Sequence, residues 1–231
     1  VLFAVSFAFG MLSTLSFSRI PEPPAPRGRH RSGSLRGVPG MLARNPGFAW
    51  LVGSSLLWSL AMSLAGPFFN VYLVQGLGGT AANVGASAGI YAATTLVGQL
   101  VFGALVDRRG NRRLFILTGL LVPLLPACWL LVRLPEHSYV INAASGFLWA
   151  GYNLAAYNLL LETAPAEDRE TGVALHSTVV AVGAVAGPLL GGVLAGTIGY
   201  LALFVLSGGG RLAATLVYLA GTRRAARRPA A

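Results

Sequence analysis

The amino-acid sequence predicts an all-α fold, a polytopic bundle of transmembrane helices. Three features predict it. Apolar residues gather into runs of bilayer-spanning length, charge is scarce, and the arginines fall on alternate connections between the runs.

Of the 231 residues, 55% are hydrophobic and 10% charged, and the mean hydropathy is +0.66. Soluble domains carry about 25% charged residues. So little charge cannot cover a water-facing surface on every side, and long apolar runs point to lipid as the solvent. The net charge of +10 raises nucleic acid as a partner. Such binding requires cations gathered on one water-facing surface, and here they are spread over loops, so nucleic acid is excluded. A single cysteine, Cys128, permits no internal disulfide. The three histidines, His30, His137 and His176, stand too far apart for a zinc-type cluster, so no metal and no cofactor is expected.

A bilayer core takes about 20 apolar helical residues. The candidate spans are 1–17, 49–73, 83–106, 114–132, 138–161, 172–196 and 200–221. The run 1–17 lacks the basic start of a signal peptide and is expected to be a truncated transmembrane helix. Residues 18–48 form a basic, Pro/Gly-rich loop, with Pro21, Pro23, Pro24 and Pro26 favouring extended backbone over a packed domain. Its end, 35–48, mixes Met41, Leu42 and Phe48 with Arg36 and Arg44. It reads equally as a membrane-surface segment or a plain connector, with Pro39 and Gly40 expected to interrupt any helix. A six-helix bundle is expected over 49–221, followed by a basic tail, 222–231.

All 17 basic residues are arginine. Connections 18–48, 107–113, 162–171 and the tail hold fifteen of them; the connections on the other side hold only Arg133, and Arg211 stands within the last span. Arginine near helix ends marks the cytoplasmic side, so the long loop and the C-terminus are expected there, in a multi-pass protein of the cell (inner) membrane.

Between the third and fourth runs lies Gly103-Ala-Leu-Val-Asp-Arg-Arg-Gly-Asn-Arg-Arg113. Gly110 gives the freedom for a tight turn, and Asp107 can bond an arginine or a helix amide end. This stretch resembles the G-x-L-x-D-R-x-G-R-R/K loop of the major facilitator superfamily, with Asn111 standing where arginine is more usual. Leu42-Ala-Arg-Asn-Pro-Gly-Phe48, Pro67-Phe-Phe-Asn-Val-Tyr-Leu73 and Glu167-Asp-Arg-Glu-Thr-Gly172 are also similar to that family. The resemblance implies that the seven runs are helices six to twelve of a twelve-helix transporter, so that the chain is its C-terminal half plus the end of the preceding helix. It further implies a cytoplasmic gating loop made of Gly103, Asp107, Arg108, Gly110, Arg112 and Arg113, with Asp107 meeting the missing N-terminal six-helix half.

Polar side chains inside a bilayer face a bundle interior or an aqueous cavity. Ser55, Ser59, Ser63, Gly66 and Asn70 share one helix face; Ser87, Tyr91, Thr94 and Gly98 share another, with Gln99 one step round. Asn142, Ser145, Trp149 and Asn153 form a third stripe, flanked by Tyr152, Tyr157 and Asn158. The serines read as close-packing residues. Asn70, Tyr91, Gln99, Asn142, Trp149 and Asn153 are the substrate-cavity candidates, with interhelical hydrogen bonding the rival role for the amides. Pro67 is expected to kink its helix, and Pro123 and Pro126 theirs. Gly183, Gly187 and Gly191, with Pro188, make small-xxx-small repeats expected to pack helices. The string resembles a drug-antiporter signature of the same superfamily, although that signature belongs to the fifth helix and this is the eleventh.

His176 is expected to make a packing hydrogen bond, with proton coupling the rival role, and Arg211 either to snorkel or to pair inside the bundle. Acids lie only in loops or at helix ends and meet no partner at catalytic spacing, so an enzyme is not expected. The function expected is secondary transport of a small solute by alternating access, with or without a coupling proton or other ion. The rival is a non-transporting membrane scaffold or receptor on the same fold.

Overall fold

The computed structural model describes residues 2–20 and 37–226. It is helical, with no strand among the described residues. The chain divides into two compact units, 1–34 and 35–231. The first contains α1, Leu2–Phe17, apolar around its whole circumference, with Phe3, Phe7 and Phe9 exposed. A helix apolar on every side belongs in lipid or a protein interior. Most of the proline-rich loop, 21–36, lies outside the described residues, as does the end of the tail, 227–231.

The second unit begins with α2, Val38–Arg44. Here the expectation of an interrupted segment is corrected. Pro39 occupies the first turn, where its missing N–H leaves no bond unmade. Met41 then docks into the core, only 2% exposed.

Six crossings follow. The first is α3, Pro46–Ala65, which breaks at Gly66–Pro67 and resumes as α4, Phe68–Val71, and a π-helical turn, Tyr72–Gly76. The second is α5, Ala81–Arg109, opened by a capping box in which Thr80 and Asn83 bond each other's backbone N–H. Gly110, at φ 78°, is the single residue separating it from α6, Asn111–Leu121. That crossing breaks at Pro123 and continues as α7, Leu124–Cys128, and a 3₁₀ turn, Trp129–Leu131. The fourth is α8, His137–Thr163. The long run Arg169–Ala226 bends at Gly199, also at φ 78°, giving α9 (169–198) and α10 (200–226).

Four stretches, Pro46–Gly76, Ala81–Arg109, Asn111–Leu131 and Ala166–Ala225, are long and apolar enough to cross a membrane, and the Gly199 bend makes the last a double crossing. The remaining helix, α8, has 27 residues and carries Asn142, Asn153 and Asn158 among its apolar ones. At about 1.5 Å per residue it still exceeds the thickness of a bilayer core.

Helix contacts follow a repeated plan. α3 lies against α9 and α10: the Ser59 hydroxyl donates to the Val180 carbonyl and the Ser207 hydroxyl to the Ala61 carbonyl. α8 lies against α5 and α6 in the same way. Thr215 of α10 donates to the Gly119 carbonyl of α6. Exchanging the first three crossings for the last three leaves this plan unchanged, as expected of internal repeats in transporters. Apolar side chains such as Leu100 of α5 and Leu189 of α9 stay exposed around the unit, which suits a hydrocarbon solvent.

Candidate functional site

Two aromatic clusters bracket the middle of the bundle. In one, Trp58 of α3 stacks on Tyr152 of α8 with ring centroids 4.3 Å apart, and Trp149 meets both rings edge-on. In the other, Phe69 of α4 stacks on Phe204 of α10 at 4.3 Å, with Trp129 beside them. Large rigid rings hold neighbouring helices at fixed spacing and leave the space between clusters unfilled.

A cavity of about 280 Å³ occupies that space. Its wall includes Met62, Gly66, Phe69 and Asn70 from the broken first crossing, Tyr91 from α5, and Leu125, Pro126 and Trp129 from the broken third. Asn142, Ser145 and Trp149 come from α8 and Arg211 from α10. The two proline breaks explain the opening. A helix that loses a backbone bond and changes direction does not follow its neighbour closely, and space is left beside it. Asn142 also donates from its side chain to the Ser138 carbonyl at 2.9 Å, which leaves its amide oxygen to face elsewhere.

Of the six cavity candidates, Asn70, Tyr91, Asn142 and Trp149 are brought together in this wall. Gln99 and Asn153 do not line it; both are exposed. Gln99 follows Gly98, where an added β-carbon would meet Phe147 and Ala150 of α8, so its own side chain turns about 100° away from that contact. Asn153 lies one turn, about 6 Å, beyond Trp149, the last residue of α8 in the wall. Asn158 belongs to the far end: its amide donates to the Asn111 side-chain oxygen at 3.0 Å, and Asn111 donates in turn to Glu162. The residue that departs from the usual loop pattern therefore ties the start of α6 to the end of α8. Asp107, Arg108, Arg112 and Arg113 are exposed around the Gly110 turn, and Arg112 also donates to the Thr222 hydroxyl of α10 at 3.3 Å. Gly103 lies inside α5 with open space beside it.

The glycines of α9 lie close against α3. A β-carbon on Gly183 would lie 2.7 Å from the Leu60 backbone nitrogen, and one on Gly187 would lie 2.9 Å from that of Leu64. Gly191 is as tightly held against Leu64, and Pro188 is accommodated inside the helix. His176 of α9 shares a 3.0 Å hydrogen bond with the Ser55 hydroxyl. Arg211 is the site residue whose role spacing alone leaves open. It does not snorkel: it is 3% exposed, and its guanidinium carbon sits 5.9 Å from the Trp149 ring centroid. Phe69 and Trp129 join the wall beyond the expected residues, Phe69 two residues after the Pro67 break and Trp129 six after the Pro123 break.

Comparison with known proteins agrees with this architecture. Residues 51–231 match the family described as Major Facilitator Superfamily. The chain is also similar to the "Multidrug resistance protein MdtG" of Dickeya zeae (strain Ech586), 30% identical over 168 residues, which is 71% of this chain and 40% of that relative. The match thus covers less than half of the relative's length. A family match over most of the sequence, on a bundle of apolar crossings with this loop at the α5–α6 turn, has one consequence: the chain belongs to the Major Facilitator Superfamily.

Proposed function

We propose that the full-length protein carries small organic solutes across the bilayer by alternating access, and that the cavity between the aromatic clusters is this half's wall of the solute chamber. One observation carries the reading. Polar groups from α4, α5, α8 and α10 converge on a single space beside two broken helices, where hydrocarbon would otherwise be the cheaper filling. Asn70, Tyr91, Asn142 and Trp149 are the solute-facing residues in this reading. Gln99 and Asn153 lie outside this wall.

The remaining assignments follow the same logic. The connection that precedes α2 and the arginine-rich end of the chain, whose first residues continue α10, are both cytoplasmic because arginine collects there. The exposed Asp107–Arg113 turn acts as a gate against the other half, and no catalytic chemistry is assigned to it. The name of the Dickeya relative, a multidrug resistance protein, supports organic compounds as cargo.

The test is accumulation of three fluorescent compounds, cationic ethidium, anionic fluorescein and neutral Nile red, in cells lacking their own exporters. The full-length protein is expected to lower accumulation of at least one, and Asn142→Leu to reverse at least half of that effect at equal membrane abundance. Unchanged accumulation of all three with the protein inserted would refute the proposal in favour of a scaffold or receptor.

A further inference from the structure

Arg211 is a full positive charge in the middle of α10, and among the described residues nothing of opposite sign meets it. The seven acids are Glu22, Asp107, Glu136, Glu162, Glu167, Asp168 and Glu170, all in connections or at helix ends. Among the described residues, Nε of Arg211 is buried without a hydrogen-bond partner. The side chain is 3% exposed, so neither water at the surface nor lipid headgroups solvate it. What it does have is the Trp149 ring on one side and the cavity on the other.

A ring face partly offsets the desolvation of a guanidinium and fixes the orientation of its plane, but it leaves the N–H donors free. Buried donors without acceptors are rare in native proteins, and one beside a cavity calls for a partner in that cavity, water or a bound solute. The planar fork of arginine matches a carboxylate, sulfonate or phosphate through two parallel charge-assisted bonds. The rest of the wall restricts the remainder of the partner. Phe69, Trp129 and Trp149 present aromatic surface, while Asn142 adds a neutral polar group.

Resting on the transport reading above, we infer that Arg211 makes this cavity a site for aromatic organic anions, with the acidic group on the guanidinium and the ring between Trp129 and Trp149. Binding of such a solute supplies the counter-charge that the half-bundle lacks. Tryptophan 149 positions the arginine rather than replacing it as a contact.

The experiment is calorimetric titration of the purified full-length protein with sodium 1-naphthoate and with 1-naphthamide, which match in shape and differ in charge. Naphthoate is expected to bind at least about tenfold more tightly, the scale of one charge-assisted interaction. Arg211→Gln should bring the two within about twofold by weakening naphthoate alone, and Arg211→Lys should keep part of the preference. Equal affinities in the unaltered protein, binding of neither compound at millimolar concentration, or a preference that survives Arg211→Gln would overturn the inference. The first comparison needs no variant, so it stands even if Arg211→Gln fails to fold. Charge-selective binding without flux would sink the transport proposal alone. Flux without charge-selective binding would sink the anion assignment alone.

Discussion

Close approach between α3 and α9 depends on single hydrogen atoms. At Gly187 an added methyl would stand 2.5 Å from the Ser63 β-carbon and 2.9 Å from the Leu64 backbone nitrogen, so α9 could not keep its place. At Gly192, two helical faces away, the nearest neighbour is the Phe68 ring at 3.9 Å. Overpacking of this kind costs about 1–3 kcal/mol. Gly187→Ala is therefore expected to lower the detergent-solubilised protein's melting temperature measurably, and Gly192→Ala to leave it unchanged or raised, by fluorescence-detected thermal unfolding. Equal behaviour of the two variants would show that helix approach at Gly187 is not limiting. The small-xxx-small spacing points to close helix approach, because glycine at every fourth position has few other uses in lipid. Arg211 was not legible in the same sense. Its position in the span is visible from composition, but whether a side chain turns outward or inward depends on which face meets a neighbour. That is fixed by contacts such as Ser207 with Ala61 and Thr215 with Gly119, far away in sequence.

At the scale of elements, the spans and their order could be read from apolar runs, and the observed helices overrun the expected ones by a few residues at most ends. Two things could not be read. The start of α2 was hidden because a proline breaks a helix in its interior and favours it in the first turn, and sequence alone does not say which applies. The pairing of Asn158 was hidden because an amide at helical spacing from a cavity stripe has two faces to choose between, and it meets Asn111 instead. This Asn158–Asn111–Glu162 chain is a specific lock between α6 and α8 at the arginine-rich end. Asn111→Ala removes both bonds and is expected to loosen that junction by about 1–3 kcal/mol. Hydrogen exchange over 109–115 and 158–164 should then quicken while the middle of α8 stays protected. Unaltered exchange at both segments would mean that packing, not the amide, holds the junction.

On the scale of the whole molecule, six crossings arranged as two matching sets of three place every proline break near one cavity and gather the arginine-rich turns at the opposite helix ends. The cavity lies nearer the ends that turn at 77–80, 132–136 and Gly199, and the Gly110 turn lies at the other. Everything proposed for the site depends on that polarity, since a chamber and its gate must lie at different depths of one bilayer. Cysteine labelling tests it directly. With Cys128 and any other native cysteine replaced, Glu136→Cys, Arg113→Cys and Arg224→Cys are each offered a membrane-impermeant maleimide in intact cells. Labelling of position 136 at once, and of 113 and 224 only after permeabilisation, is the predicted result. Labelling of 136 together with 224 before permeabilisation would contradict it, because the ends of the bundle would then share one compartment.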